Sequence, residues 1–214
     1  MGHAKLYAVI TGDLIASTRH PPARAEAAMA ALEACARGWP AADLRFTRFR
    51  GDGWQVFLPE PAPALRVALR MAAGLAAAET GIATRLAIGI GSITATGTRD
   101  LSDGAGAAFT RSGRALDGMP RGRVWAVAGG AGLPAWVDGY VALAEWHAAG
   151  WTAGQAAVVA DVLTPRNATQ EERAAGMGLS RQAWKARLDG SGIMAWQPAL
   201  AAWEAWNGAG VTDD

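Results

Sequence analysis

The hydrophobic pattern of this chain changes period along its length. Leu6-Tyr-Ala-Val-Ile-Thr11 is a short apolar run with β-branched residues, closed by Gly12-Asp13, and predicts a buried strand. Pro21-Pro22 opens an alanine-rich stretch to about Arg37, in which Ala25, Met29, Leu32 and Ala36 recur at helical spacing. Leu44 to Arg50 alternates apolar and polar residues, Gly51-Asp-Gly53 turns the chain, and Trp54 to Leu58 returns, a hairpin pattern. Pro59 to Pro63 breaks this, and Ala64 to Glu79 predicts a second amphipathic helix. Thr84 to Ile93 is a third apolar strand region. A Gly/Asp/Ser loop follows, then a helix from about Gly106 to Leu116 and a strand over Arg123 to Val127.

Strand, helix, hairpin, helix, strand is the order of a split βαβ (ferredoxin-like) sheet, with helices on one face of antiparallel strands. The expectation is an α+β domain over residues 1–128, with the last helix and strand appended to it. Gly129-Gly-Ala-Gly-Leu-Pro134 has the composition of a linker, 129–134. From Ala135 onward the period is helical throughout, so 135–214 predicts an all-α module. Its segments are Trp136 to His147, Thr152 to Leu163 with Thr152 as cap, a helix opened by Thr169, and another capped by Ser180. Trp196, Leu200, Trp203 and Trp206 form a stripe on the last helix, the spacing of a helix closing onto a core.

With 214 residues, 51% hydrophobic and 18% charged, the chain is globular rather than disordered. A net charge of +1 excludes an overall basic coat for nucleic acid but permits a local basic patch. Residues 1–120 hold 13 Lys/Arg against 10 Asp/Glu, a balance of +3, whereas 121–214 hold 7 against 9, a balance of −2. Tryptophan is also divided, two before residue 120 and eight after it, as two modules with different cores would be. Cys35 stands alone, which excludes a disulfide framework and a cysteine-based zinc site. His3, His20 and His147 have no metal-ligand spacing. The apolar start reaches Asp13 too soon for a signal peptide, and Leu65 to Ala78 carries Arg66 and Arg70 and is too short to span a bilayer. These features predict a cytoplasmic protein with no membrane partner.

Two acidic turns are the sharpest feature of the first half. Asp13 ends the first strand, and Asp52 sits in the hairpin turn. A split βαβ sheet has its first strand central and beside the hairpin, so both carboxylates fall at one edge. Such a pair suits Mg²⁺ or Mn²⁺ with phosphate oxygens completing the shell. The same residues also serve as an ordinary strand end and a favoured Asp-Gly turn. Arg111 and Arg114, three apart on one helix, have the spacing of a phosphate grip or of a solvated pair. Gly89-Ile-Gly91 lacks the remainder of any phosphate-loop fingerprint and reads as close helix packing or a bulge.

Val9-Ile-Thr-Gly-Asp-Leu-Ile-Ala-Ser-Thr18, Phe49-Arg-Gly-Asp-Gly53, Arg85-Leu-Ala-Ile-Gly-Ile-Gly-Ser-Ile93 and Gly106-Ala-Ala-Phe-Thr-Arg-Ser-Gly-Arg-Ala-Leu116 follow in that order. Over about residues 6–127 the series resembles the catalytic domain of class III nucleotide cyclases, a palm-like fold shared with diguanylate cyclases. The resemblance implies that Asp13 and Asp52 hold metal ions on a triphosphate and that Arg114 stabilises the transition state. The family's asparagine, four residues before that arginine, falls on Thr110, and its base-selecting lysine falls near Arg48. Both are departures. Arg48, Arg111 and Arg114 are thus the candidate nucleotide-binding residues.

In the second half, Thr169-Gln-Glu-Glu-Arg-Ala-Ala-Gly-Met-Gly-Leu-Ser-Arg-Gln-Ala-Trp-Lys-Ala-Arg-Leu188 reads as helix, tight turn, helix. Trp184 and Leu188 face inward, which leaves Arg181, Gln182 and Lys185 outward on the second helix, where Arg and Lys suit guanine or phosphate and Gln suits adenine. Thr169, Gln170 and Ser180 lie at the helix starts beside them and complete the set of candidate DNA contacts. Between Arg166 and Leu188 there are five basic residues against two acidic ones. The segment resembles region four of bacterial sigma factors, and a cyclase-like domain joined to such a module resembles the SatD family. That resemblance implies a DNA-binding transcriptional regulator whose first domain senses a nucleotide or forms a homodimer. A metal-dependent nucleotidyl cyclase or nucleotidyltransferase acting on ATP or GTP is the alternative, and an adaptor with neither activity is a third.

Overall fold

The computed structural model describes residues 5–40, 43–49, 51–97 and 101–213. Five strands, β1 (Tyr7–Leu14), β2 (Arg45–Phe49), β3 (Gly53–Leu58), β4 (Thr84–Gly91) and β5 (Trp125–Ala128), form one sheet in the order β2-β3-β1-β4-β5. β1 is central and antiparallel to β3 and β4, and β2 pairs antiparallel with β3. β5 runs parallel to β4, which makes the sheet mixed rather than wholly antiparallel.

Two helices, α1 (Pro22–Arg37) and α2 (Ala64–Ala77), cover one face. Their Met29, Leu32, Leu65 and Leu69 meet Ile10, Val56 and Ile88 in the main core. The expectation that helices occupy a single face fails at α3 (Ala107–Asp117), which covers the opposite one. There Val9 and Phe57 pack with Leu101, Ala108 and Phe109, the two phenylalanine rings stacking at 6.4 Å. The physical reason lies in the strands. β1 and β4 carry apolar or small residues on successive positions, the pattern of a sheet buried on both sides.

Gly89 explains how α3 lies so close. A Cβ there would stand 2.2 Å from the Ala108 carbonyl oxygen and 2.4 Å from the Ser112 amide nitrogen. One turn of contact is then locked by the buried Thr11–Ser112 hydroxyl hydrogen bond at 2.7 Å.

The second half is helical as its period predicts: α4 (Ala135–Ala148), α5 (Ala153–Leu163), α6 (Gln170–Gly176), α7 (Arg181–Ser191) and α8 (Gln197–Trp206). Thr152 and Thr169 each form a full capping box, with Gln155 and Glu172 returning the bond. The tryptophan stripe splits. Pro198, with no N–H to donate and a ring that clashes one turn back, starts α8 anew and leaves Ile193–Trp196 as a separate 3-10 turn. Val141, Val159, Leu163, Leu200 and Trp203 continue the main core outward from α2. Residues 129–134 are pinned by the chain after α8. Thr212 donates its N–H to the Ala131 carbonyl at 2.9 Å, and its carbonyl lies where a Cβ on Gly130 would have to go. No helix among the described residues is long and apolar enough to cross a membrane.

Gly89→Ala should force α3 off the sheet and cost about 1–3 kcal/mol, the usual range for overpacking. Urea unfolding should show a lower midpoint with an unchanged slope. An unchanged midpoint would mean that α3 is free to shift.

Candidate functional site

Asp13 and Asp52 lie at the same end of the sheet. Asp13 is in register with Gly53 of β3 and Arg85 of β4, and Asp52 immediately precedes Gly53. The Leu14 amide donates to the Asp52 carbonyl at 3.1 Å, which clamps the hairpin turn onto the end of β1. Beyond β1 the chain turns sharply at Ala16, a non-glycine residue in the left-handed region (φ 53°), so that Ser17 donates its hydroxyl to Asp52 Oδ2 at 2.6 Å. Ser17, Thr18, His20, Glu26, Arg48 and Asp52 line a cavity of about 600 Å³ at this end.

The two carboxylates are differently engaged. Asp52 keeps one oxygen clear of Ser17. Asp13 has both oxygens on Arg85, one bond at 2.9 Å from Nε and a second, shorter one from Nη2. The hydrogen bonds that Arg85 donates to Asp13 raise the Arg85 pKa above its ordinary value, and the charges of Asp117 and Asp52 act in the same direction. Residue type and placement therefore fit a divalent ion, but Arg85 fills the coordination that Asp13 would supply. Among the described residues no third His, Cys, Asp or Glu joins them in a metal-sized cluster.

The candidate nucleotide residues separate. Arg48 lines the cavity and makes a bidentate fork with Glu26 at 2.6 and 2.7 Å, which lowers the Glu26 pKa. Arg111 lies at the other end of β4, donating to the Ile90 carbonyl at 2.9 Å. Five residue steps along β4 from Arg85 to Ile90 place it about 17 Å from the carboxylates. Its second partner is Asp213 at 3.0 Å, whose carboxylate also accepts from the Ser92 amide at 3.1 Å. Arg114 and Thr110 are exposed on α3, and Arg114 has no ion-pair or hydrogen-bond partner for its side chain among the described residues.

In the helical half α5, α6 and α7 form a three-helix unit that rests on α2. Gly178 supplies the left-handed turn (φ 66°) between α6 and α7, and Ala174 is buried where the two meet. Trp184 and Leu188 are buried; Arg181, Gln182 and Lys185 are exposed, as are Thr169, Gln170 and Ser180 at the helix starts. Thr169 and Ser180 spend their side-chain oxygens on capping.

The five basic residues counted from the sequence overstate the outward charge. Arg173 is buried, donating to the Asp161 carboxylate at 3.1 Å and to the Arg166 carbonyl at 2.9 Å, and Arg166 itself pairs with Asp161. Arg181 pairs with Glu171 at 3.0 Å and Lys185 with Asp189 at 2.8 Å.

No protein-family profile matches the chain, and no curated protein is significantly similar to it. The functional argument therefore rests on these residues. Arg85, Ser17, Glu26, Asp161 and Asp213 escaped the sequence reading. Of these only Arg85 had a signal, since a cross-strand partner of Asp13 is readable once the β1–β4 register is known.

Burial alone would raise the Asp213 carboxyl, but the Ser92 and Arg111 donors outweigh it and hold it below the ordinary aspartate value of 3.8. A depressed value in the fold means that the contact contributes stability above pH 3.8 and loses it as pH falls through the lower folded value. An NMR titration of the Ser92 amide should stay flat above pH 3.8 and shift below it, and Asp213→Asn should remove that shift.

Proposed function

We propose that the chain is a cytoplasmic DNA-binding transcriptional regulator of the SatD kind, in which α6 and α7 contact double-stranded DNA. The observation that carries this reading is the exposed face of the first two turns of α7. It presents Arg181, Gln182 and Lys185 to solvent from a helix whose other face is anchored by Trp184 and Leu188. The side chains that would read bases thus face solvent, while the helix that aims them is held by packed residues. Their ion pairs do not oppose this. Arg181 and Glu171 are 63% and 60% exposed, and pairs that open to water are worth about 0–1 kcal/mol, so phosphate or guanine replaces the carboxylate at little cost.

The strand order β2-β3-β1-β4, with α1 and α2 each joining strands separated by one other, supports a ferredoxin-like, cyclase-like reading of the first half. In this reading that half senses a nucleotide in the cavity beside Asp52 and Arg48.

A single unit of this size offers few contacts, so the isolated protein should bind non-specific DNA with Kd on the order of 10⁻⁴–10⁻⁶ M. Arg181→Ala should cost about 1–3 kcal/mol and relax sequence preference where the arginine reads a base. Fluorescence anisotropy across a salt series measures both, and an intact protein with no salt-dependent binding would sink the proposal.

A second reading, metal-dependent nucleotidyl transfer, is favoured by the placement of Asp13 and Asp52 at one sheet end beside the cavity. A divalent ion there would neutralise phosphate charge, with Asp52 and Asp13 as its ligands. Arg85 is the obstacle, so Arg85→Met should tighten Mn²⁺ binding by roughly tenfold, because it frees both Asp13 oxygens from a competing cation. Calorimetry with Mn²⁺ and ATP tests it, and equal affinity in both proteins would show that Asp13 is not a ligand.

A further inference from the structure

Among the described residues the outer face of α4 has no partner within the chain. Val137, Val141 and Ala144 turn inward, and the opposite side carries Trp146, 76% exposed, and Leu143, 57% exposed. That face holds no charge. Both acidic residues of the helix are drawn to its flank by Arg123, Glu145 at 3.0 Å and Asp138 at 3.4 Å. Gly139 lies on the same outer face, two turns before Trp146. A Cβ at Gly139 would meet nothing within 4 Å, so no contact among the described residues requires glycine there. Glycine nonetheless weakens a helix interior relative to alanine.

We propose that this face is a self-association surface on which a second copy of the chain packs its own α4 in antiparallel, with Trp146 of each copy seated over Gly139 of the other. The numbering carries the symmetry. Gly139 and Trp146 stand equally far from the midpoint between Ala142 and Leu143, so one two-fold axis at that midpoint forms both contacts at once. The seven residues between them span about 10.5 Å of helix, room for one indole at each end and Leu143 against Ala142 between. An uncharged face meets its own copy without desolvating a charge, and a large side chain meets a vacancy of its own making.

The area sets the strength. Trp146 and Leu143 expose roughly 300 Å² of apolar side chain per copy, about 600 Å² when two faces meet. A stable interface needs about 1,200 Å² or more, so the dimer is weak and concentration-dependent, with Kd between about 1 µM and 1 mM. This proposal does not rest on DNA binding and is tested without DNA.

Sedimentation velocity over roughly 5–500 µM is the experiment. The wild type should pass from monomer to dimer as concentration rises, and Trp146→Glu and Leu143→Glu should each weaken association at least tenfold. Both residues are exposed, so neither variant threatens folding. Gly139→Trp alone should create a clash of two indoles, and Trp146→Gly alone should leave two empty seats. Combined in one chain they exchange knob and seat and should restore the dimer. A wild type that stays monomeric throughout overturns the proposal, as does a Trp146→Glu variant that associates as the wild type does. A double variant no better than its singles overturns the antiparallel seating.

Discussion

α2 is buried on nearly its whole circumference, and the rest of the molecule is arranged around that fact. Ala64, Leu65, Val67, Ala68, Leu69, Met71, Ala73 and Leu75 are all buried within its fourteen residues. A helix apolar on so many sides cannot satisfy itself against a sheet alone. The sheet and α1 take part of it, with Gly74 admitting the Cys35 side chain of α1, and α5 takes the remainder. Its two arginines are used at the edges of this contact. Arg66 pairs with Glu204 of α8 at 2.6 Å, and Arg70 donates to Thr164 just beyond α5 at 2.7 Å. Burial lowers the Arg70 pKa, with the nearby Asp161 charge opposing the shift.

The mounting of α7 follows from that layer. α5 rests on α2, and α7 rests on α5 through Trp184 and Leu188 in the same continuous core. Asp161 of α5 holds both Arg166 and Arg173, which fastens the stretch before α6 and α6 itself to the same helix. The aim of α7 is thus set by packed apolar layers that begin at the sheet. A change at the Asp13 and Asp52 end can reach α7 through α2 and α5, or through Thr84, which donates to the Asp13 carbonyl and shares a cavity with Trp151, whose indole donates to the Ser191 carbonyl of α7.

Much of the fold was legible because period is a local property. The hairpin, α1, the two threonine-capped helices and the inward placement of Trp184 all follow from spacing within a dozen residues. What was not legible depends on register or on distance. The side of the sheet that α3 covers depends on Gly89 meeting Ser112; the Gly89-Ile-Gly91 spacing announces close helix packing but not which helix packs there or on which face. Asp13 reads as a free carboxylate until β4 places Arg85 across from it, and Arg111 reads as a phosphate grip until Asp213, 102 residues away, occupies it. A count of basic residues likewise cannot see that Arg173 points inward.

Among the described residues ten of the basic side chains pair with a carboxylate, and for these availability is decided by how wet each pair is. The Arg173–Asp161 pair is 11% and 16% exposed and the Arg111–Asp213 pair 16% and 33%. Opening either leaves a charge partly cut off from water, a penalty that grows with burial. The Lys185–Asp189 pair is 55% and 58% exposed, and Arg181–Glu171 is wetter still. Their opened partners are rehydrated at once, and salt already screens them. Arg85–Asp13, at 39% and 26%, lies between these extremes. Of these paired cations, a ligand bearing negative charge therefore recruits those on the first turns of α7 at a lower cost than Arg85 beside Asp13. The same ordering makes α7 the more salt-sensitive of the two sites, because only well-hydrated pairs exchange freely with ions from solution.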